Sequence, residues 1–282
     1  MVIGALTALV RGIIANSDNP QFEAELIVMD AAGLTRTEYV LSLRENADDA
    51  VVKAAVAAAD KRKSGMPLAY ILKSAEFMGM TFKVTRDTLI PRPDTETLVE
   101  TAAGHISDAR RKVLDIGAGT GCVGISIAKL CKNAEVTLLD ISAGALSVAE
   151  ENARLNGVSA NFELCDILTA LPEGRFDAIV SNPPYIKSGV IKTLQTEVKD
   201  YEPLTALDGG ADGLMFYRRI CAAARDLLTD GGFLAFEIGY DQAAEVTALM
   251  SDFDNVATVK DLSGNDRVVH GIKKRIDGRR GI

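Results

Sequence analysis

From about residue 96 onward, short apolar runs alternate with stretches of helical periodicity. The apolar runs are candidate strands, and they fall at 112–116, 135–140, 160–165, 176–181, 232–237, 255–260 and 267–272. Strands that alternate with helices are typical of a doubly wound α/β sheet whose core is mostly parallel. A turn-rich segment with no room for a helix joins the last two runs, so we expect those two strands to pair antiparallel.

Residues 1–75 follow an all-helical pattern instead. A polar capping side chain before Pro20 predicts the start of one helix, and Gly33 predicts its end. Its larger apolar side chains are expected on one face: Phe22, Leu26, Ile27 and Met29. Thr35 predicts the start of the next helix. Such short amphipathic helices must bury their apolar faces against each other or against a partner.

A short linker follows these helices. Residues 76–84 predict a β-hairpin with a glycine near its turn. Two prolines between Leu89 and Thr95 exclude a helix there and predict a stiff connector, after which Asp94 or Thr95 can cap the next helix. The pattern therefore divides the chain into three parts: a helical domain at 1–75, a linker at 76–95 and an α/β domain at 96–282.

Composition and charge narrow the function classes. The chain has 282 residues, and its net charge of −8 is opposite in sign to the basic field of most nucleic-acid-binding proteins. A basic cluster at the C-terminus is interpreted as a solvated tail: Lys273, Lys274, Arg275, Arg279 and Arg280. Four scattered cysteines and only two histidines argue against a metal site. With no signal peptide and no membrane-spanning run predicted, we expect a soluble, cytoplasmic protein.

Residues 113–124 predict a strand, a glycine-rich turn and a helix. The turn fits the G-x-G-x-x-G pattern, and Asp140 ends the next strand, where such folds place an acid for a ribose hydroxyl. The candidate cofactor-binding residues of the turn are Asp115, Gly117, Ala118, Gly119, Thr120 and Gly121. This combination predicts a nucleoside cofactor and leaves NAD and S-adenosyl-L-methionine (AdoMet) both open. The leading Asp115 favours AdoMet, because D-x-G-x-G-x-G resembles the pattern of class I methyltransferases.

A further acid, Asp166, follows the strand run at 160–165. An acid in this position can accept a hydrogen bond from the amino group of adenine. Capping of the following turn is an equally good interpretation, and both stay open here.

The most informative stretch is Asn182-Pro183-Pro184-Tyr185, directly after a strand run. Ligands of open α/β sheets bind beyond the carboxyl ends of strands, so this motif is expected beside the glycine turn. A planar amide or amine nitrogen attacks a methyl group more readily when two acceptors take its N–H bonds, and the Asn182 side-chain oxygen and the Pro183 carbonyl can be those acceptors. The prolines fix the backbone, and Tyr185 offers a flat face to the planar group. The predicted catalytic residues are Asn182, Pro183 and Tyr185, with Pro184 as a further substrate contact and Asn182 also near the cofactor.

On these motifs the chain resembles the HemK/PrmC family of protein-glutamine methyltransferases over nearly its whole length. The segment Leu89–Glu96 is close to the linker signature of that family. The glycine turn, Asp140 and the motif at 182–185 match its cofactor and substrate motifs. The chain departs from the family at Ile167, where an aromatic side chain after the strand-end acid is common.

The resemblance implies a seven-stranded class I AdoMet-dependent methyltransferase domain of Rossmann-like fold, preceded by a small helical substrate-docking domain and a hairpin linker. It implies methyl transfer from AdoMet to the side-chain amide nitrogen of the glutamine in the GGQ motif of peptide-chain release factors. Asp166 and Ile167 are then expected at the cofactor, and no metal is expected. The release factor is the expected partner, without a membrane or stable nucleic-acid binding, and the protein is expected to be a monomer.

Three alternatives share parts of the pattern. A nucleic-acid amine (adenine) methyltransferase would apply the same Asn-Pro-Pro-Tyr chemistry to a flipped base, but the acidic pI and the nearly neutral segment 1–75 argue against it. An NAD-dependent oxidoreductase would share the glycine turn and leave the motif at 182–185 unexplained. A non-catalytic module on the same fold would have no need to retain both Asp140 and Asn182.

Overall fold

The computed structural model describes residues 1–106 and 111–275, and the chain folds into two compact units. The first unit combines Met1–Ser74 with the segment Gln195–Tyr201, and the second contains the rest. The chain therefore leaves the second unit in mid-sequence and returns to it. Arg279 and Arg280 of the predicted basic tail lie outside the described residues.

The elements are numbered in chain order. The helices are α1 (Ile3–Ile13), α2 (Pro20–Ala32), α3 (Arg36–Leu41), α4 (Asp49–Lys63), α5 (Leu68–Leu72), α6 (Glu96–His105), α7 (Cys122–Leu130), α8 (Ala143–Leu155), α9 (Thr196–Lys199), α10 (Met215–Leu227) and α11 (Ala243–Leu249). The strands are β1 (Ser74–Phe77), β2 (Met80–Lys83), β3 (Arg111–Ile116), β4 (Ala134–Asp140), β5 (Asn161–Leu164), β6 (Phe176–Ser181), β7 (Leu228–Glu237), β8 (Phe253–Lys260) and β9 (Asp266–Lys273). In residues 1–106 and 111–275, none of the helices has the length and apolar character needed to cross a bilayer.

Helix α2 begins and ends where the sequence predicts. The Asn19 side chain accepts a hydrogen bond from Phe22 N, and Gly33 adopts φ +64° at the end of the helix. The predicted apolar face was wrong, because Phe22 is exposed and the buried side carries Ala24, Ile27 and Val28. Successive residues turn about 100° around a helix axis, so Phe22 lies opposite Ala24, and the small alanine allows α1 and α4 to approach.

Arg62 holds the inserted segment in the helical unit. Its guanidinium bonds Glu23 at 2.6 Å and Glu197 of α9 at 3.0 Å, and the Arg62 side chain is only 9% exposed. The Tyr201 hydroxyl donates to the Ser64 carbonyl at 3.2 Å. Because a buried guanidinium needs its partners, these carboxylates fix the place of residues 195–201 within this unit.

All seven predicted strands form one sheet in the order β5-β4-β3-β6-β7-β9-β8. Strands β5, β4, β3, β6 and β7 are parallel to one another, and β9 runs antiparallel to both of its neighbours. The doubly wound α/β fold and the antiparallel last pair are confirmed. Parallel pairing aligns Ile116 with Leu139 and Ser181, and Ser181 with Phe236, so four strands end at one edge.

Apolar side chains cover both faces of the sheet. Val113 and Val136 belong to the core beneath α6, α7 and the hairpin, whereas Leu114 and Leu139 belong to the core beneath α10 and α11. Alternate residues of one strand thus serve opposite cores, which is why these strands appear as nearly continuous apolar runs.

The hairpin β1–β2 turns through Met78 and Gly79, both at positive φ. Asn152 of α8 ties the hairpin to the glycine turn, since its side-chain nitrogen donates to Lys83 O and Thr120 O, each at 2.9 Å. The predicted connector contains a short 3₁₀ turn, Pro93–Thr95. Thr95 does not cap α6 with its side chain, and its hydroxyl bonds elsewhere.

We expect Gly124→Ala to destabilise the protein by about 1–3 kcal/mol, since a Cβ at Gly124 would lie 2.3 Å from Leu138 Cδ2 and 3.0 Å from Asp115 Oδ2 in the packed core. Gly104→Ala in the exposed part of α6 is the matched control, because a Cβ there meets nothing within 4 Å. It should stabilise by up to about 1 kcal/mol through helix propensity. Urea denaturation measures both changes, and equal effects would contradict the packing argument.

Candidate functional site

A cavity of about 540 Å³ opens at the carboxyl edge of the parallel strands. Volumes of about 300–1,000 Å³ are typical of small-molecule and cofactor sites. The wall belongs entirely to the second unit and comes from parts of 87–95, 115–123, 139–142, 165–168, 181–184, 203–210 and 215–220. The glycine turn and the Asn-Pro-Pro motif, which lie far apart in sequence, thus face the same space.

The glycine turn leaves room for a ligand at its backbone. Gly117 and Gly119 adopt φ +74° and +56°, and a Cβ at either would meet no protein atom within 4 Å. The N–H groups of Gly117 and Ala118 donate to Leu139 O at 2.8 and 3.0 Å, which fastens the turn to β4. The backbone of the turn is therefore held in place by hydrogen bonds, and the space beside its glycines is free for the close approach of a ligand.

Asp140 stands at the end of β4 beside this turn. One carboxylate oxygen accepts from Gly119 N at 2.8 Å and the other from Ser142 N at 2.9 Å. Burial raises the pKa of Asp140, against the lowering effect of these hydrogen bonds. A carboxylate has about four acceptor positions, so capacity remains for a pair of hydroxyls. The open glycine backbone and this buried acceptor fit the ribose of a nucleoside cofactor.

Asp115 and Gly121 lie deeper than the sequence suggests. The Asp115 carboxylate accepts from Gly124 N at 2.9 Å, and its burial raises the pKa to about 7. Asp115 reaches the cavity wall, but Gly121 does not. A Cβ at Gly121 would lie 2.8 Å from Ile125 Cδ1, so this glycine serves close packing between the turn and α7.

Asp166 and Ile167 also line this cavity. Asp166 accepts from Leu168 N at 2.9 Å and from the Thr169 hydroxyl at 3.1 Å, which is the local capping arrangement. Ile167 is buried in the core beneath α10. Ala118 and Thr120 line the cavity as well. Every residue predicted to bind the cofactor therefore lines it, except Gly121.

The Asn-Pro-Pro-Tyr motif divides between the cavity and the core. Asn182, Pro183 and Pro184 line the cavity, whereas Tyr185 is not among the lining residues and packs against the core beneath α10 and α11. Burial raises the pKa of the Tyr185 phenol to about 12. The Asn182 side-chain nitrogen donates to the Thr95 hydroxyl at 3.2 Å, which leaves its oxygen for other partners.

The backbone of the motif is clamped by the segment that follows it. Ile186 N donates to Leu207 O at 3.0 Å, and Gly209 N donates to Ile186 O at 2.8 Å. A Cβ at Gly213 would lie 2.4 Å from Tyr185 O, so only glycine allows this approach. Buried Gln242 donates to Tyr185 O at 3.2 Å and accepts from Gly239 N at 3.0 Å.

Several residues of the site were missed in the sequence. Glu202 is buried and bonds Arg92 and Ile90 N, which pins the segment 203–210 to the linker at the cavity mouth. Burial raises the pKa of Glu202. Glu237 ends β7, the neighbour of β6, and is also buried. Glu237 could have been found in the sequence, because it is an acid at the end of an apolar strand run. No local sequence signal marks Glu202 or Gln242.

Comparisons with known proteins agree with this geometry. Residues 93–198 match the family model of the methyltransferase small domain, and residues 11–72 match that of the PrmC N-terminal domain. A methyltransferase from Pyrococcus furiosus superposes with a TM-score of 0.53 at 19% identity, covering 71% of this chain and 91% of that one. At this identity the likeness establishes the fold alone, and the predicted methyltransferase fold is confirmed.

Similarity to named relatives extends over most of the chain. The release factor glutamine methyltransferase of Geobacter sulfurreducens is 40% identical over 265 residues, which is 93% of either chain. That of Clostridium botulinum is 44% identical over 221 residues, covering 76% of this chain and 78% of its own. With this identity across both units, the chain belongs to the release factor glutamine methyltransferase family.

Proposed function

We propose that the protein transfers a methyl group from AdoMet to the side-chain amide nitrogen of the glutamine in the GGQ motif of a peptide-chain release factor. The observation that carries the proposal is that Asn182 and Pro183 wall the same cavity as the open glycine turn and Asp140. A methyl donor held on the turn and a planar nitrogen held on the motif would meet in this space. The relatives named above supply the substrate class.

The methyl donor is held by the glycine turn and Asp140. The open backbone at Gly117 and Gly119 receives it closely, and Asp140 accepts from the ribose hydroxyls. Asp166 and Ile167 bound the nucleobase. When bound, AdoMet supplies an electrophilic methyl group on a sulfonium, so the reaction needs no strong base.

Two acceptors of the protein activate the glutamine amide nitrogen. The Asn182 oxygen and the Pro183 carbonyl accept hydrogen bonds from its two N–H groups, which localises the nitrogen lone pair for attack. Pro183 and Pro184 restrict the backbone so that the carbonyl is aimed before substrate arrives. Tyr185 packs behind the motif against the core, and its raised pKa keeps the phenol neutral.

The helical unit is proposed to dock the release factor. It has its own buried core, built from Leu6, Val10, Ile27 and Val28 among others. Beyond that core it leaves Phe22 and Leu41 exposed, at 52% and 76%, which suits contact with a protein better than contact with phosphate. The predicted cytoplasmic location and monomeric state stay predictions.

Labelled AdoMet should transfer its methyl group to a purified bacterial release factor and not to the same factor with its GGQ glutamine replaced by alanine. Duplex DNA in parallel tests the adenine alternative. Scintillation counting of the separated substrates gives the result. Label on DNA alone would move the substrate to a base, and label on the alanine-substituted factor would refute the glutamine assignment.

Asn182→Ala should lower kcat by about 100-fold or more while AdoMet affinity stays within about twofold, because Asn182 acts on the acceptor nitrogen. Asn161→Ala on the edge strand β5 is the matched control and should leave kcat unchanged. Single-turnover methylation and calorimetric titration separate the two quantities. Equal losses of turnover and affinity would contradict this role.

Asp140→Ala should weaken AdoMet binding by about 1–3 kcal/mol, because a charge-assisted hydrogen bond to the ribose is lost. Isothermal titration calorimetry measures the change directly. Asp226→Ala, on the exposed side of α10, serves as the control and should bind AdoMet normally. An unaltered affinity in the Asp140 variant would refute the ribose assignment.

A further inference from the structure

Arg92 gives the wall of the cavity a positive charge. It is the only lysine or arginine among the described residues that line the cavity. The same wall carries five carboxyl side chains: Asp87, Asp115, Asp140, Asp166 and Asp208. AdoMet has one anionic group, the α-carboxylate of its methionine part, besides a sulfonium and an ammonium. A carboxylate in a partly buried site needs a partner of opposite charge, because neighbouring carboxylates repel it.

The Arg92 guanidinium is held at the wall by Glu202. The Glu202 side chain is only 1% exposed, and its carboxylate pairs with Nη2 of Arg92. The same carboxylate accepts a hydrogen bond from Ile90 N at 3.4 Å. Both Ile90 and Pro203, the residue after Glu202, line the cavity. The ion pair therefore lies at the wall, between the linker and the segment 203–210.

This ion pair leaves hydrogen-bond donors of Arg92 available. A guanidinium presents five N–H groups in a planar fork. Glu202 engages Nη2, and within the described residues Nε and Nη1 of Arg92 have no acceptor. The Arg92 side chain is 39% exposed, so a ligand can reach it. The guanidinium can therefore bind a second carboxylate while Glu202 holds it in place.

The helix N-terminus beside the glycine turn is already engaged with protein acceptors. Gly124 N donates to Asp115 at 2.9 Å, and Cys122 N donates to the Thr120 hydroxyl at 3.4 Å. Such amides at the start of a helix otherwise attract anions. Because they are satisfied here, and because ionised Asp115 would repel another carboxylate, Arg92 is the better partner for the α-carboxylate.

The groups on the sulfonium also direct the α-carboxylate toward the linker. In the proposed site the methyl group faces the nitrogen held by Asn182, and the ribose lies at Asp140. The third substituent, which ends in the ammonium and the α-carboxylate, must follow another part of the wall. Thr95 accepts from the Asn182 side chain at 3.2 Å, and Thr95 N donates to Arg92 O at 3.0 Å. Arg92 therefore lies one turn of the linker away from Asn182.

We propose that Arg92 binds the α-carboxylate of the methyl donor, with Glu202 as the buried counter-ion that holds the guanidinium in place. The inference rests on the proposed position of AdoMet between the glycine turn and the motif, and it does not depend on which nitrogen is methylated. The guanidinium should then discriminate between ligands that have the carboxylate and ligands that share only the nucleoside.

Isothermal titration calorimetry with three ligands tests this assignment without a release factor. S-adenosyl-L-homocysteine (AdoHcy) has the carboxylate, decarboxylated AdoMet lacks it, and methylthioadenosine lacks the whole amino-acid arm. Arg92→Met should bind AdoHcy about 10- to 100-fold more weakly than wild type, because charge-assisted hydrogen bonds are lost. Methylthioadenosine should bind within about twofold of its wild-type affinity, and decarboxylated AdoMet no more weakly, since neither has a group that Arg92 binds.

Further variants separate carboxylate binding from damage to the fold. Arg92→Met combined with Glu202→Gln leaves no buried carboxylate without its partner and should show the same selective loss of AdoHcy affinity. Arg92→Lys keeps the charge without the planar fork and should restore part of that affinity. Arg225→Ala is the matched control: Arg225 also pairs with a carboxylate, that of Asp252, but does not line the cavity. It should bind all three ligands normally.

Unchanged AdoHcy affinity in Arg92→Met would overturn the inference. Equal losses of AdoHcy and methylthioadenosine affinity in both the single and the double variant would also overturn it, since Arg92 would then only support the wall. A raised KM for the release factor with normal AdoHcy affinity would assign the guanidinium to the peptide instead. Selective loss of AdoHcy affinity would support the inference even if wild type labels no release factor, in which case the proposed function alone fails.

Discussion

The parallel register of β4, β3, β6 and β7 is the constraint on which the site depends. It aligns Ile116 with Leu139 and with Ser181, and Ser181 with Phe236. The residue that follows the aligned position in each strand therefore lies at the same edge of the sheet. It either begins a turn or carries a polar side chain. A slip of one residue in any strand would exchange its two faces and bury the wrong set.

Buried carboxylates surround this edge. Asp115, Asp140, Glu202 and Glu237 all have a pKa raised by burial, to about 7 for Asp115 and Glu237. Of these four, Asp115 and Asp140 line the cavity, and their ionised forms stabilise a cation there more than a neutral ligand of the same shape. The arrangement therefore favours a positively charged sulfonium donor, and a bound cation would draw these groups toward their ionised forms.

Much of the fold was predictable because it rests on local pattern. The seven strands, the glycine turn and the caps of α2 and α3 follow from period, turn chemistry and side-chain caps. The predicted apolar face of α2 was wrong because tertiary packing buries the small Ala24 and leaves the larger Phe22 exposed. The contacts of Thr95, Asn152 and Gln242 were not predicted, because their partners lie far away in sequence and no local pattern encodes such contacts.

Residues 195–201 give the protein an interleaved rather than a tandem organisation. The helical unit takes Glu197 from the middle of the methyltransferase sequence to satisfy the buried Arg62. Cutting the chain after residue 74 would thus separate Arg62 from Glu197 and leave each charged side chain without this ion-pair partner. The boundary between the two units is a boundary in space, and neither unit corresponds to one uninterrupted stretch of its gene.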